Sequence, residues 1–337
     1  MTTPVLISSG RLDAPGFRPC CLLNSDGKRF DDSSPREHQY GNGKDEVGIV
    51  YACRAGFLDI GHARDLLDLT RYYHDCLKRS AGAKGSKFQS FHYHEFIGDN
   101  VTIVKAIPPA RLLYCAARLA YLESIFHEIE SYWYFDYASS PGTISKPFPG
   151  MHNSSFSPED LVSNAIGTSV GMRAILSLED GTYASFDEAA TNALEAILGD
   201  LGATGDADVK TADAFASVSG RWYDPVLPGV WWALSTLKRR NFGTGGNFNE
   251  VTPWLVSSIA ACTDVTWPAG IDRSWDTSID DSLEITYYPP LRGRVSEAFR
   301  DYMANRTVKP SDFVSEILRI QNHAIDVYGP KFDSPDL

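Results

Sequence analysis

Positive charge is scarce in this chain. Its 337 residues carry 31 Lys and Arg against 43 Asp and Glu, a formal net charge of −12. That deficit excludes the basic face with which a nucleic-acid binder displaces phosphate counterions. It also argues against electrostatic docking on anionic lipid. Long apolar runs are missing too: no segment reads as the roughly 20 consecutive apolar residues of a membrane helix. The first residues, MTTPVLISSGRLDAPGFRPCC, lack a basic start followed by an apolar stretch, so no secretory signal is read and a cytoplasmic location is expected. Cysteine is sparse and unpatterned. The six stand at 20, 21, 53, 76, 115 and 262 with no C-x-x-C spacing, and free thiols are the expectation. No repeat and no low-complexity tract occurs.

What is present is an ordinary globular composition, 43% apolar and 22% charged, in a chain long enough to bury a substantial core. Residues 1–45 are rich in Gly, Pro, Asp and Ser and read as an irregular lead-in. Residues 46–337 read as one large domain, with a sub-boundary near 203–220. VGIVYAC (47–53) has the density of a buried strand, and helical spacing is read from Phe57 to about Lys78. FQSFHYHEFIG and VTIVKAI around Asp99-Asn100 predict a β-hairpin. Pro108-Pro109 opens a long helix over about 109–135. A loop follows over 138–156. Ser157-Pro158-Glu159-Asp160 predicts a helix start with Ser157 as cap and Glu159 as a first-turn acid, running to about Ser177. Further helices are expected over 186–201, within LPGVWWALSTLKRRN (227–241), and after Ser311. SLEITYYPP (282–290) reads as a strand ended by prolines. The sum is an α+β fold, mostly helical, with short β-hairpins or a small antiparallel sheet.

Three segments place polar groups where apolar ones would be cheaper. In CRAGFLDIGHARD (53–65), His62 falls on an apolar helix stripe with Asp65 close by. In ESIFHEIES (123–131), Glu123, His127 and Glu130 share one helix face and Glu128 points about a quarter turn away. SSFSPEDLVSN (154–164) carries Glu159, Asp160 and Asn164. Together these segments resemble a bacterial family known as domain of unknown function 4056, whose signatures look like C-R-A-G-F-x-D-x-x-H-x-R-D, H-E-I-x-x-W/Y and F-S-P-E-D-x-x-S-N. The resemblance runs over most of 47–260 and implies no established activity. Many relatives look like exported lipoproteins; a cytoplasmic member would suit a specialised biosynthetic pathway.

The residues suggest chemistry of their own. His-Glu on a helix is half of the H-E-x-x-H zinc motif, in which two histidines hold the metal and the Glu activates water. Here position 131 is Ser. His62 would replace the second histidine and Glu159 would complete a two-His, one-carboxylate set for zinc or iron. The expected metal ligands are therefore His62, His127 and Glu159, with Glu128 as general base and Asp65 beside it. Without a metal, His127 and Glu128 would act as an acid/base pair, or belong to a buried polar network between helices. Cys53, between a strand and an expected helix start, is a candidate thiol nucleophile, with His92 or His94 as its partner. Trp133, Asn164 and Arg240 are candidate substrate contacts. The Trp residues of WYDP and VWWAL (222–235) fit an aromatic pocket or a core. Lys238-Arg239-Arg240 fits an anion contact or a helix C-terminus. GTGG (243–246) lacks the following Lys-Ser/Thr of a nucleotide loop, so no nucleotide cofactor is expected. The expectation is a small-molecule enzyme, hydrolytic or acid/base; the alternatives are Cys53-dependent acyl transfer and a non-catalytic binding protein.

Overall fold

A computed structural model describes residues 30, 37–41, 45–89, 100–139, 155–224, 236–268, 271, 275–286 and 307–335. It is an α+β fold dominated by helices, as the sequence predicts. The chain enters through a tight antiparallel pair, β1 (Ile49–Ala52) and β2 (Gly56–Asp59), in register from Ile49↔Asp59 to Ala52↔Gly56. Gly56 is required here. Its φ is +75°, and a Cβ would lie 2.4 Å from the Trp254 carbonyl oxygen. Phe57 and Leu58, read as helical from their spacing, belong to β2, because Asp59 sets the helix start. Its carboxylate accepts from the Gly61 and His62 N–H groups and caps α1 (Ile60–Ser80).

Helix α2 (Leu112–Ser139) follows a 3-10 turn over Pro109–Arg111. Helix α3 (Asp160–Glu179) lies against both α1 and α2, and α4 (Phe186–Asp200), capped by Ser185, lies against α3. The α1–α3 crossing is close because Gly167 and Gly171 face α1. A Cβ on Gly167 would lie 2.4 Å from the Ala63 carbonyl oxygen, and one on Gly171 2.8 Å from Thr70 Cβ. Among the described residues α3 alone has the length and apolarity to cross a membrane, but 78% of that window is buried inside the protein.

The chain continues through α5 (Ala207–Val218), a short pair β5 (Tyr223–Asp224) and β6 (Thr236–Leu237), and a final helix α6 (Asp312–Tyr328) beside α2. A four-stranded antiparallel sheet has the order β3 (Lys87–Gln89), β4 (Asn100–Ile103), β7 (Leu283–Thr286), β8 (Thr307–Val308). Its buried residues alternate: Val101, Ile103, Leu283 and Ile285 are turned inward. The main core joins α1–α4 to this sheet, and a smaller one joins β1–β2 to α5, Trp222 and Trp254.

Several expectations change. Helix α5 occupies most of the stretch 203–220 where a sub-boundary is expected. The helix expected over 227–241 is absent in its described part, since 236–237 is a strand and 238–241 has no regular structure. Lys238-Arg239-Arg240 is therefore not a helix terminus. The free-thiol expectation fails for one pair: Cys53 and Cys262 form a disulfide across 209 residues of sequence, tying the β1–β2 turn to the 254–266 segment. Cys76 and Cys115 are free, while Cys20 and Cys21 lie outside the described residues.

Candidate metal and acid/base centre

The first turns of α1 and α3 converge on the middle of α2. The His62 side chain comes from the start of α1, His127 and Glu128 from α2, and Glu159 and Asp160 from the start of α3. His62, Glu128 and Asp160 each bring one ligand atom to within 4.8 Å of the others, and all three are buried. His62 Nδ1 is 3.6 Å from Asp160 Oδ1. The His127 ring stands edge-on to the His62 ring with centroids 6.4 Å apart, and it is half-buried.

The loop before α3 fixes the two carboxylates. Phe156 N–H donates to Glu128 Oε2 at 2.8 Å. The Ser157 N–H and hydroxyl donate to the two Asp160 oxygens at 2.7 and 3.0 Å. Ser157 is thus not the cap expected from its type; the acid reaches back to it instead. Phe156 sits in the left-handed region at φ 54°, with its ring against Phe242. Asn241 N–H donates to the Phe156 carbonyl, and the Arg240 guanidinium donates to the Ser155 carbonyl and hydroxyl. That guanidinium is fully buried between the Tyr132 and Phe332 rings. Arg240 consequently anchors the loop that orients Glu128.

Electrostatically the centre is a buried excess of carboxylate. Burial, opposed by the Phe156 N–H and a hydrogen bond to Asp160, pushes the Glu128 pKa up to about 7. Asp160 is raised well above the usual carboxylate range by burial and then by Glu128, Glu159 and Asp59. Asp59 is raised by burial and then by the Glu159 charge. Burial, followed by His127, lowers the His62 pKa to about 3, so its imidazole is neutral and able to act as a ligand. A divalent cation is the counter-charge such a set fits, because it would reverse each of these penalties at once.

Of the metal set expected from sequence, only His62 lies in the convergent trio. Glu128, expected as a base, and Asp160, read only as one of the polar residues of 154–164, take the other places. Glu159 is fully buried at the N-terminus of α3 and makes no side-chain cap hydrogen bond. Asp65 is buried on α1 and adds to the negative field at Asp59. Glu123 turns toward the Tyr72 and Tyr73 hydroxyls on α1. The side chains of Glu130 and Trp133, and all of His92, His94, Trp231 and Trp232, lie outside the described part of the chain. Trp222 is a core residue, packed on Phe57 and Trp254.

Cys53 cannot serve as a nucleophile while its sulfur is bonded to Cys262. Nor does it precede a helix: β2 intervenes before α1. Two features lie outside the candidates read from the sequence. Asp59 stands in the C-R-A-G-F-x-D signature and caps α1 at the rim of the centre. His38, in the expected lead-in, is buried with its ring between Asp45 and Asp68, 2.8 Å from each, beside Arg64.

The family model described as "Protein of unknown function (DUF4056)" matches residues 22–242. The chain belongs to the DUF4056 family. All members of the trio, His127, Glu159 and the anchoring Arg240 lie inside the matched region, whereas Cys262 lies outside it. No curated protein and no solved structure matches the chain.

Proposed function

We propose that this DUF4056 protein is a small-molecule enzyme carrying out metal-assisted hydrolysis or related acid/base chemistry. The observation that supports it is the buried convergence of His62, Glu128 and Asp160 within 4.8 Å, in a setting that disfavours leaving the carboxylates charged and uncompensated. One imidazole nitrogen and carboxylate oxygens suit a borderline ion such as zinc or iron, or a harder one such as manganese. Such an ion lowers the pKa of bound water and polarises a carbonyl or phosphoryl oxygen. This chain's residues would do the rest. Ser157 and Phe156 hold Asp160 and Glu128 in place. His127, half-buried beyond the trio, moves the proton. A general-base role for Glu128 gives way to a ligand role in this reading.

A second reading rests on one observation: a carboxyl oxygen of Glu128 and one of Asp160 lie within 4.8 Å of each other, both buried. Two buried carboxyl groups this close are favoured to share a proton, which would make them a metal-free acid/base pair. The cytoplasmic placement expected from the N-terminus competes with the Cys53–Cys262 disulfide, which favours an oxidising compartment.

The test is elemental analysis of protein never exposed to chelator or nickel resin. Near-stoichiometric metal is expected in wild type and none in Glu128→Gln or Asp160→Asn. Folded wild type without metal, and unable to take up Zn²⁺, Fe²⁺ or Mn²⁺, would discard the metal-assisted reading and leave the carboxyl pair.

A further inference from the structure

We infer that Asn164 is a fourth protein ligand of the cation, through its side-chain Oδ1. This rests on the metal-assisted reading above. Asn164 is fully buried, and neither its amide oxygen nor its amide nitrogen has a hydrogen-bond partner among the described residues. That is uncommon, because a carboxamide offers two donors and two lone pairs and is costly to bury unpaired. Its neighbours on α3 do find partners. Ser163 donates to the Glu159 carbonyl, Thr168 to the Ala165 carbonyl and Ser169 to the Ile271 carbonyl.

Position decides what the orphaned amide is for. Asn164 stands four residues after Asp160, on the same helix face. Helical side chains lean toward the N-terminus, so the amide covers the turn that carries Asp160. That face also carries Gly167 and Gly171, which lie against α1, the helix that supplies His62, and α3 also lies against α2, which supplies Glu128. Burial separates a metal ligand from a substrate contact. Asn164 is 0% exposed and His62 7% exposed, while His127 is half-buried. His127 is thus the most accessible of the three, and a fully buried Asn164 suits contact with an ion better than contact with a substrate. Chemistry explains the residue type. A further carboxylate would add to the repulsion among Asp59, Glu128, Glu159 and Asp160, whereas an amide oxygen ligates without charge. The resulting set of one nitrogen and three oxygens leans toward an oxygen-preferring ion.

The experiment titrates metal-free wild type, Asn164→Leu and Asn164→Asp with Mn²⁺ alone and with Zn²⁺ alone, by calorimetry and by melting temperature. Asn164→Leu should melt no lower than wild type without metal, because it removes a buried unpaired amide. Its affinity for the ion should fall by about tenfold or more, with the metal-induced rise in melting temperature shrinking in step. Asn164→Asp should melt lower without metal and regain binding at least equal to wild type. Wild-type-like binding by Asn164→Leu would overturn the ligand role and leave the metal reading standing. Equal loss of binding in both variants would make Asn164 a packing residue and also overturn it. Wild type that binds neither of these ions, and no Fe²⁺ either, would remove the reading on which the inference stands.

Discussion

One methyl group at the α1–α3 crossing tests whether the approach of these helices builds the centre. A Cβ on Gly167 would sit 2.4 Å from the Ala63 carbonyl oxygen and 2.7 Å from Leu66 Cβ. Ordinary contact is about 3.5 Å or more, so α3 must move about 1 Å from α1 or distort. Overpacking of this kind costs about 1–3 kcal/mol, and a backbone oxygen gives way less readily than a side chain. Against that stands the helix-propensity gain of Gly→Ala, about 1 kcal/mol. Gly199 supplies the control: it is an exposed glycine of α4, and a Cβ there would meet nothing within 4 Å. Gly199→Ala should therefore gain a few tenths to about 1 kcal/mol. Gly167→Ala should lose up to about 2 kcal/mol, the steric cost less the propensity gain. Urea unfolding followed by circular dichroism reads both. Gly167→Ala should also weaken cation binding, since His62 lies one residue before Ala63 and Asp160 two turns before Gly167. A Gly167→Ala protein as stable as Gly199→Ala would refute the steric reasoning. A destabilised variant with unchanged ion affinity would refute the link between this crossing and the centre.

The disulfide closes a loop of 209 residues. In the chain-entropy treatment it is worth about 5 kcal/mol at 25 °C. Cys53→Ser/Cys262→Ser, or reduction, should lower the urea midpoint accordingly and leave cation binding intact; loss of ion binding would assign the bond to the centre. Non-reducing peptide mapping of protein quenched in cells should recover the 53–262 linkage, and free thiols at both positions would instead favour a reducing cytoplasm. His38 gives a pH prediction. Burial opposes its charge, but hydrogen bonds to Asp45 and Asp68 outweigh it and hold the pKa above 6.5. A raised histidine stabilises fully below its unfolded pKa near 6.5, and that contribution disappears as pH rises through the folded value. Melting temperature should fall from pH 6 toward pH 9 more steeply in wild type than in His38→Gln, and parallel slopes would contradict the clasp.

The fold is largely legible in the sequence where one local signal governs. The apolar density of 49–52, Pro109 before α2, Ser185 before α4 and the alternation in 283–286 each mark their element. It is illegible where distant contacts decide. Phe57 and Leu58 have helical spacing with the residues after them, yet they pair with β1, and Asp59 caps α1 only from Ile60 onward. Cys53 and Cys262 carry no mutual signal across 209 residues. Gly167 and Gly171, four apart in an apolar helix, are a readable sign of close helix approach that the spacing of the polar residues overshadows.

The composition of the centre departs from the sequence reading for a more specific reason. Helical spacing sorts α2 into faces and puts Glu123, His127 and Glu130 together, with Glu128 a quarter turn off. That sorting identifies a functional face only when a helix has one buried side. Helix α2 has several: α1, α3 and α6 all pack on it, and its central residues from Cys115 to Phe126 are buried nearly all round. With neighbours on different sides, each polar residue answers to the helix opposite it. Glu123 answers to the tyrosines of α1, His127 to His62, and Glu128 to the Phe156 N–H and Asp160. The quarter turn that sets Glu128 apart on the helical wheel is what aims it at α3. The three sequence motifs thus mark the segments that converge, and which of their residues meet comes from which helix lies across from each one.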